Sequence, residues 1–166
     1  MKNSRKSATV AVLASLSIVI NLIENMFIPP LTFGIRFGLA NIISLVALKI
    51  FGKREMYLIV LIRMTLGNLL KGTIFGTPFI ISASGLLLSS IVIIICDCFD
   101  HSVIFTSLMS SVSHSFGQML AVCFLYNQVN IIAILPVLVV GSLATGILTG
   151  LISKAVVERV PSALYK

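Results

Sequence analysis

Apolar segments about as long as a bilayer is thick follow one another through this chain of 166 residues, and most of its cations sit in the short turns between them and at the termini. That pattern leaves few folds open. Where water is absent, backbone polar groups must satisfy one another, and a spanning helix needs about 20 predominantly apolar residues. The sequence therefore predicts an all-α integral membrane protein of six transmembrane helices, at about 8–28, 38–52, 56–76, 79–97, 102–126 and 130–156. The second is short, and the last two are long enough to tilt. Charged residues are 10% of the chain, against about 25% in soluble domains. No long polar segment is left for a soluble catalytic domain, so residues 1–166 read as a single membrane domain, multi-pass in a bacterial cytoplasmic membrane.

Orientation follows from the cations. Lys2, Arg5 and Lys6 precede the first helix, Lys53 and Arg54 separate the second from the third, and Lys154, Arg159 and Lys166 lie at or beyond the end of the sixth. With six spans these groups share one side, and the positive-inside rule makes that side, with both termini, cytoplasmic. The net charge of +7 is thereby assigned to membrane orientation, with the lipid bilayer as partner and no nucleic acid. The cationic start resembles the opening of a signal peptide, but no small-residue cleavage site follows, and the apolar run continues as a span would. Cys96, Cys98 and Cys123 form no C-x-x-C pair and read as reduced thiols rather than metal ligands. Asp97 to Asp100 has no second acidic cluster with which to hold magnesium and pyrophosphate, so it reads as a cytoplasmic turn.

Functional chemistry concentrates in the stretch from Arg63 to Pro78. A cation near the middle of a bilayer costs about 3 kcal/mol, so Arg63 and Lys71 require a counter-charge, a watery cavity or an anionic ligand. Asn68 and Lys71, three residues apart, would share a helix face, and Gly67, Gly72 and Gly76 allow close approach. A rival reading has Lys71 snorkelling to the outer interface and Arg63 paired with Glu24 or Glu55. Ser17, Asn21 and Glu24 make a polar stripe on the first helix. Pro29, Pro30 and Gly34 interrupt helix and imply an ordered outer loop, which places Arg36 at the entrance to the second helix and Asn41 one turn inside. A helix start beside an arginine suits an anion, and equally a lipid headgroup. On the fifth helix Ser107, Ser110, Ser111, His114 and Gln118 repeat at three- and four-residue spacings as a polar seam, facing substrate or joining helices.

The candidate substrate-binding residues are thus Glu24, Arg36, Asn41, Arg63, Asn68, Lys71, His114 and Gln118. Three cations against one carboxylate favour a small, partly anionic ligand with an apolar portion, such as a carboxylate- or phosphate-bearing isoprenoid or quinone precursor. Ser7, Ala11 and Ser15, at four-residue spacing, allow close helix contact with a partner or within the bundle. Small residues near the start of the fourth helix, Ser82 to Gly85, and along the sixth, Gly141 to Gly150, read as packing surfaces. No Ser-His-Asp set, phosphate-binding glycine loop or metal-ligand cluster emerges, so neither catalysis, cofactor use nor ATP hydrolysis is expected of this chain alone.

Taken together, Gly34-Ile-Arg-Phe-Gly-Leu-Ala-Asn41, Arg63 through Pro78 and the His114/Gln118 seam resemble the Gx transporter family, whose members are often labelled heptaprenyl diphosphate synthase component I. The resemblance spans nearly the whole chain. In architecture it is also similar to the substrate-binding S component of energy-coupling-factor (ECF) transporters, with six helices, a small-residue face on the first and a site in the outer half. That resemblance implies a capture protein: substrate enters from outside, an outer loop closes, and a transmembrane coupling subunit with two ATPase subunits drives inward release. Ser7, Ala11 and Ser15 would then dock on the coupling subunit. The alternatives are a membrane accessory subunit of polyprenyl diphosphate synthesis and a scaffold for a flavin-linked electron-transfer assembly. The acidic residues Glu24, Glu55, Asp97, Asp100 and Glu158 are too scattered to supply the paired aspartate clusters of prenyl-chain elongation.

Overall fold

In a computed structural model, which describes residues 2–27 and 39–160, the chain is helical with no β-strand among the described residues. The helices are α1 (Lys2–Phe27), α2 (Asn41–Phe51), α3 (Lys53–Leu70), α4 (Thr77–Cys98), α5 (Val103–Tyr126) and α6 (Leu135–Arg159), with a 3-10 segment, Val129–Ile134, before the last. The outer loop with Pro29, Pro30, Gly34 and Arg36, and the terminal Lys166, lie outside the described residues.

Four stretches are long and apolar enough to cross a membrane: Lys6–Glu24, Thr77–Cys98, Val103–Tyr126 and Val129–Arg159. The expected second span is different. α2 has 11 residues, about 16 Å at 1.5 Å per residue, half of a hydrocarbon core of about 30 Å. It is apolar nearly all round and buried from Asn41 to Phe51 apart from Ile42 and Lys49, as an interior helix should be. It packs among α1, α3, α5 and α6.

The third helix also ends earlier than its composition suggests. Lys71 is its C-cap, and Gly72 adopts φ 65°, the left-handed region that costs glycine nothing. The Gly72 N–H then donates to Leu69 O at 3.0 Å and the Thr73 N–H to Asn68 O at 3.0 Å, the paired bonds of a Schellman stop. Residues 71–76 are a turn, so Lys71 does not share a helix face with Asn68, and α4 begins at Thr77 with Pro78 in its first turn, where a missing N–H is harmless. Likewise Asn41 is the first residue of α2 rather than one turn inside it.

Polar groups are turned inward and apolar ones outward. Val12, Leu16, Val19 and Ile23 on α1, Leu87, Ile91 and Ile95 on α4, and Val137, Val140, Ile147 and Leu151 on α6 are exposed, while Ser17, Ser44, Ser89, Ser107, Ser115 and Ser142 are buried. A hydrocarbon surround explains this, since apolar surface then loses nothing by facing out and polar groups find partners only inside. α5 is the hub, packed along its length on α4 and α6. Gly146 and Gly150 let α6 approach so closely that an added Cβ would lie 3.0 Å from the Cα atoms of Leu108 and Ile104. Ser107 and Thr149 hydroxyls meet across this contact at 2.7 Å, and Ser115 bonds Ser142. Ser107, one residue of the expected α5 seam, therefore joins helices.

Ion pairs mark one end of the bundle. Lys6 meets Glu55 at 2.5 Å, and Asp97 meets Lys49 at 2.9 Å and Lys53 at 3.8 Å. Val46, Ile50 and Phe51 pack there with Val10, Leu13, Val157 and Val160, which brings the start of α1 and the end of α6 to this same end. Helices alternate in direction from it, so the Lys71 turn and the Asn127 turn lie at the other.

Candidate functional site

The half of the bundle away from the ion pairs contains a small cavity, partly open to its surroundings. Its walls come from α1, α2, α3, α4 and α5, and Glu24, Asn41, Arg63, Asn68, His114 and Gln118 all line it. Each is buried, none more than 5% exposed. Residues far apart in sequence thus line one space, each a polar group in an apolar helix that is costly against lipid.

Arg63 is buried in the wall. Its Nη2 donates to Asn41 Oδ1 at 3.1 Å, tying α3 to the start of α2. Glu24 is close enough to act electrostatically on the guanidinium, so opposite charges face the same space. Among the described residues neither Arg63 Nη1 nor Asn41 Nδ2 has a hydrogen-bond partner. Such groups cost about 1–3 kcal/mol when buried unsatisfied, and more when charged. Asn68 Nδ2 is used differently, donating to Met64 O at 2.7 Å, while Thr73 Oγ1 lies 3.2 Å from Asn68 Oδ1.

Lys71 sits above these groups and donates from Nζ to Asn21 Oδ1. It reaches the cavity through Asn21, which itself lines the wall. His114 and Gln118 enter from α5 at its crossing with α4. An added Cβ on Gly85 would stand 2.7 Å from Gln118 Cγ, 2.9 Å from His114 O and 3.0 Å from His114 Cε1; one on Gly117 would stand 2.8 Å from Ser84 O. Two facing glycines therefore bring the helices together where the site needs them.

Asn21 and Ser82 are wall residues not assigned to the site from sequence, and Ala40, Met64 and Leu86 supply its apolar surface. Asn21 carried a signal, standing three residues before Glu24 on the polar stripe. Ser82 carried none, since small residues are common throughout membrane helices. Arg36 lies outside the described residues. Ser7, Ala11 and Ser15 are exposed on α1, away from the cavity, with Ser15 Oγ donating back to Ala11 O at 3.0 Å. No group of three or more metal-ligating side chains forms among the described residues.

The profile of the heptaprenyl diphosphate synthase component I family matches residues 13–156. The chain belongs to that family. The match runs from the middle of α1 to near the end of α6, so every wall of the cavity lies within the component I region. No curated protein and no solved structure matches the chain.

Proposed function

We propose that this component I protein is a substrate-binding membrane component of an ECF-type importer, holding a small, partly anionic and partly apolar molecule taken from outside. The cavity carries the reading. A buried guanidinium with an N–H unused among the described residues, beside an amide N–H likewise unused, is hard to account for by packing alone and easy to account for by a ligand. The proposed topology has the ion-paired end and both termini in the cytoplasm and the cavity in the outer half. α2 is then an interior helix, and α3 crosses with its one deep cation, Arg63, facing inward. Release would depend on a transmembrane coupling subunit and two ATPases, docked through the exposed Ser7, Ala11 and Ser15 face.

The family's description favours a second reading, a membrane partner of a prenyl diphosphate synthase. Partners separate the two. Purified from its native membrane, the protein should bring down the coupling subunit and ATPases; recovery of a soluble, aspartate-rich synthase instead would establish the second reading. Replacing Ala11 and Ser15 by tryptophan should abolish that complex through steric clash while leaving ligand binding by the isolated protein unchanged. Undiminished complex would remove the α1 face from the docking proposal.

A further inference from the structure

Arg63 Nη1 and Asn41 Nδ2, unused among the described residues, are related in a way that narrows what can fill the cavity. Arginine has donors only, so the amide atom facing Arg63 Nη2 at 3.1 Å must be the Asn41 oxygen. The Asn41 NH2 group is thereby forced to point elsewhere, and among the described residues Nδ2 and Arg63 Nη1 are both left without a partner in a shared wall. Arg63 is 3% exposed and Asn41 2%, so bulk water does not serve them. Two neighbouring N–H donors of this kind ask for one group with two acceptor oxygens. Charge limits the choice further. Among the described residues, Arg63 and Lys71 stand against Glu24, which leaves one positive charge. A monoanion cancels it, whereas a phosphate monoester, at about −1.5 to −2 near neutral pH, overshoots.

We infer that the Arg63–Asn41 pair is the seat of a carboxylate, and that the ligand of this cavity is a monocarboxylate whose apolar part lies toward Met64 and Leu86. The inference rests on the reading of the cavity as a ligand site and specifies its chemistry. The guanidinium binds one oxygen, the Asn41 amide binds the other, and the link between them holds the fork in place before the ligand arrives. A diphosphate head does not suit this seat.

Thermal unfolding of the full chain in detergent, with benzoate, benzamide and phenyl phosphate at matched ionic strength, tests it. Benzoate should raise the midpoint and the isosteric, neutral benzamide should not. Asn41→Asp keeps an oxygen for Arg63 but exchanges the donor for a second carboxylate, so benzoate should bind about tenfold or more weakly. Should that variant fail to unfold cooperatively, Arg63→Lys, which keeps the charge and loses the fork, should weaken benzoate similarly. Equal responses to benzoate and benzamide, a stronger response to phenyl phosphate, or benzoate binding untouched in the folded variant would overturn the carboxylate seat. Native mass spectrometry of protein taken from its own membrane separates this from the wider reading. A retained small molecule with no benzoate response refutes the seat alone; neither a retained molecule nor any probe response refutes both.

Discussion

Gly85 and Gly117 illustrate how a single absent side chain can set a site. The backbone of His114 and the side chain of Gln118 are placed by contact with α4 at distances no Cβ tolerates. Gly117→Ala would drive a methyl group against Ser84 O at 2.8 Å and Gly85 Cα at 3.1 Å, backbone that cannot rotate away. Overpacking of this kind typically costs about 1–3 kcal/mol, so unfolding in detergent should shift to lower denaturant or temperature, with loss of ligand response. Gly67→Ala is the control, since its nearest neighbour would be Asn21 Oδ1 at 3.5 Å, ordinary contact. At this scale the sequence was informative wherever a polar side chain interrupts an apolar helix: Glu24, Arg63, His114 and Gln118 have no reason to be there except an interior space. Glycines were less legible. Gly67, Gly72 and Gly76 stood beside the cations and drew attention, yet the close crossing is made by Gly85 and Gly117, and spacing alone does not say which glycine meets another helix.

Elements were legible in proportion to their apolar length. α4 and α5 fall within about two residues of the boundaries expected from hydropathy, while α3 ends at Leu70 because the Gly72 stop is a matter of backbone conformation, which hydropathy does not record. α2, expected to be short, is described over Asn41–Phe51 alone, and a short apolar run buried among helices and a span cut short look alike in composition. How α1 attaches to α3 at the charged end can be tested by pH. The Lys6 ammonium, hydrogen-bonded to Glu55 in the charged first turn of α3, holds that carboxyl below its ordinary value of 4.5. A carboxyl with a lowered value in the folded state contributes stability that is present above its unfolded value and lost as pH falls from there through the folded one. Acidification below about pH 4.5 should therefore loosen the start of α1. Hydrogen exchange at α1 amides should rise across that window in the wild type, and Lys6→Met should flatten the dependence. An unchanged profile in the variant would mean that Glu55 is not what couples the helices.

At the scale of the whole molecule, two ends of unlike character decide how it sits in a bilayer. One end gathers Lys6, Lys49, Lys53, Arg54, Lys154 and Arg159, relieved in part by Glu55, Asp97 and Glu158. At the other, Lys71 lies beside the cavity and Asn127 turns the chain in a left-handed conformation with φ 52°. Lysine and arginine near span ends resist translocation, so the first end should face the cytoplasm and the cavity mouth the outside. The same asymmetry could be read from the sequence because positive charges collect in alternate turns; what the sequence did not convey is that Asp97, read with Asp100 as a turn, pairs with Lys49 and Lys53 and so offsets part of the positive charge at that end. Cysteine labelling in intact cells resolves the orientation. In a background with Cys96, Cys98 and Cys123 replaced by serine, Asn127→Cys should react with a membrane-impermeant maleimide added outside, and Ser102→Cys only after the membrane is opened. These two positions bracket α5, so their labels should be opposite whichever way the molecule points. Reaction of Ser102→Cys alone from outside would invert the protein, place the cavity mouth in the cytoplasm and exclude capture from the exterior; equal reaction of both would mean that α5 does not cross.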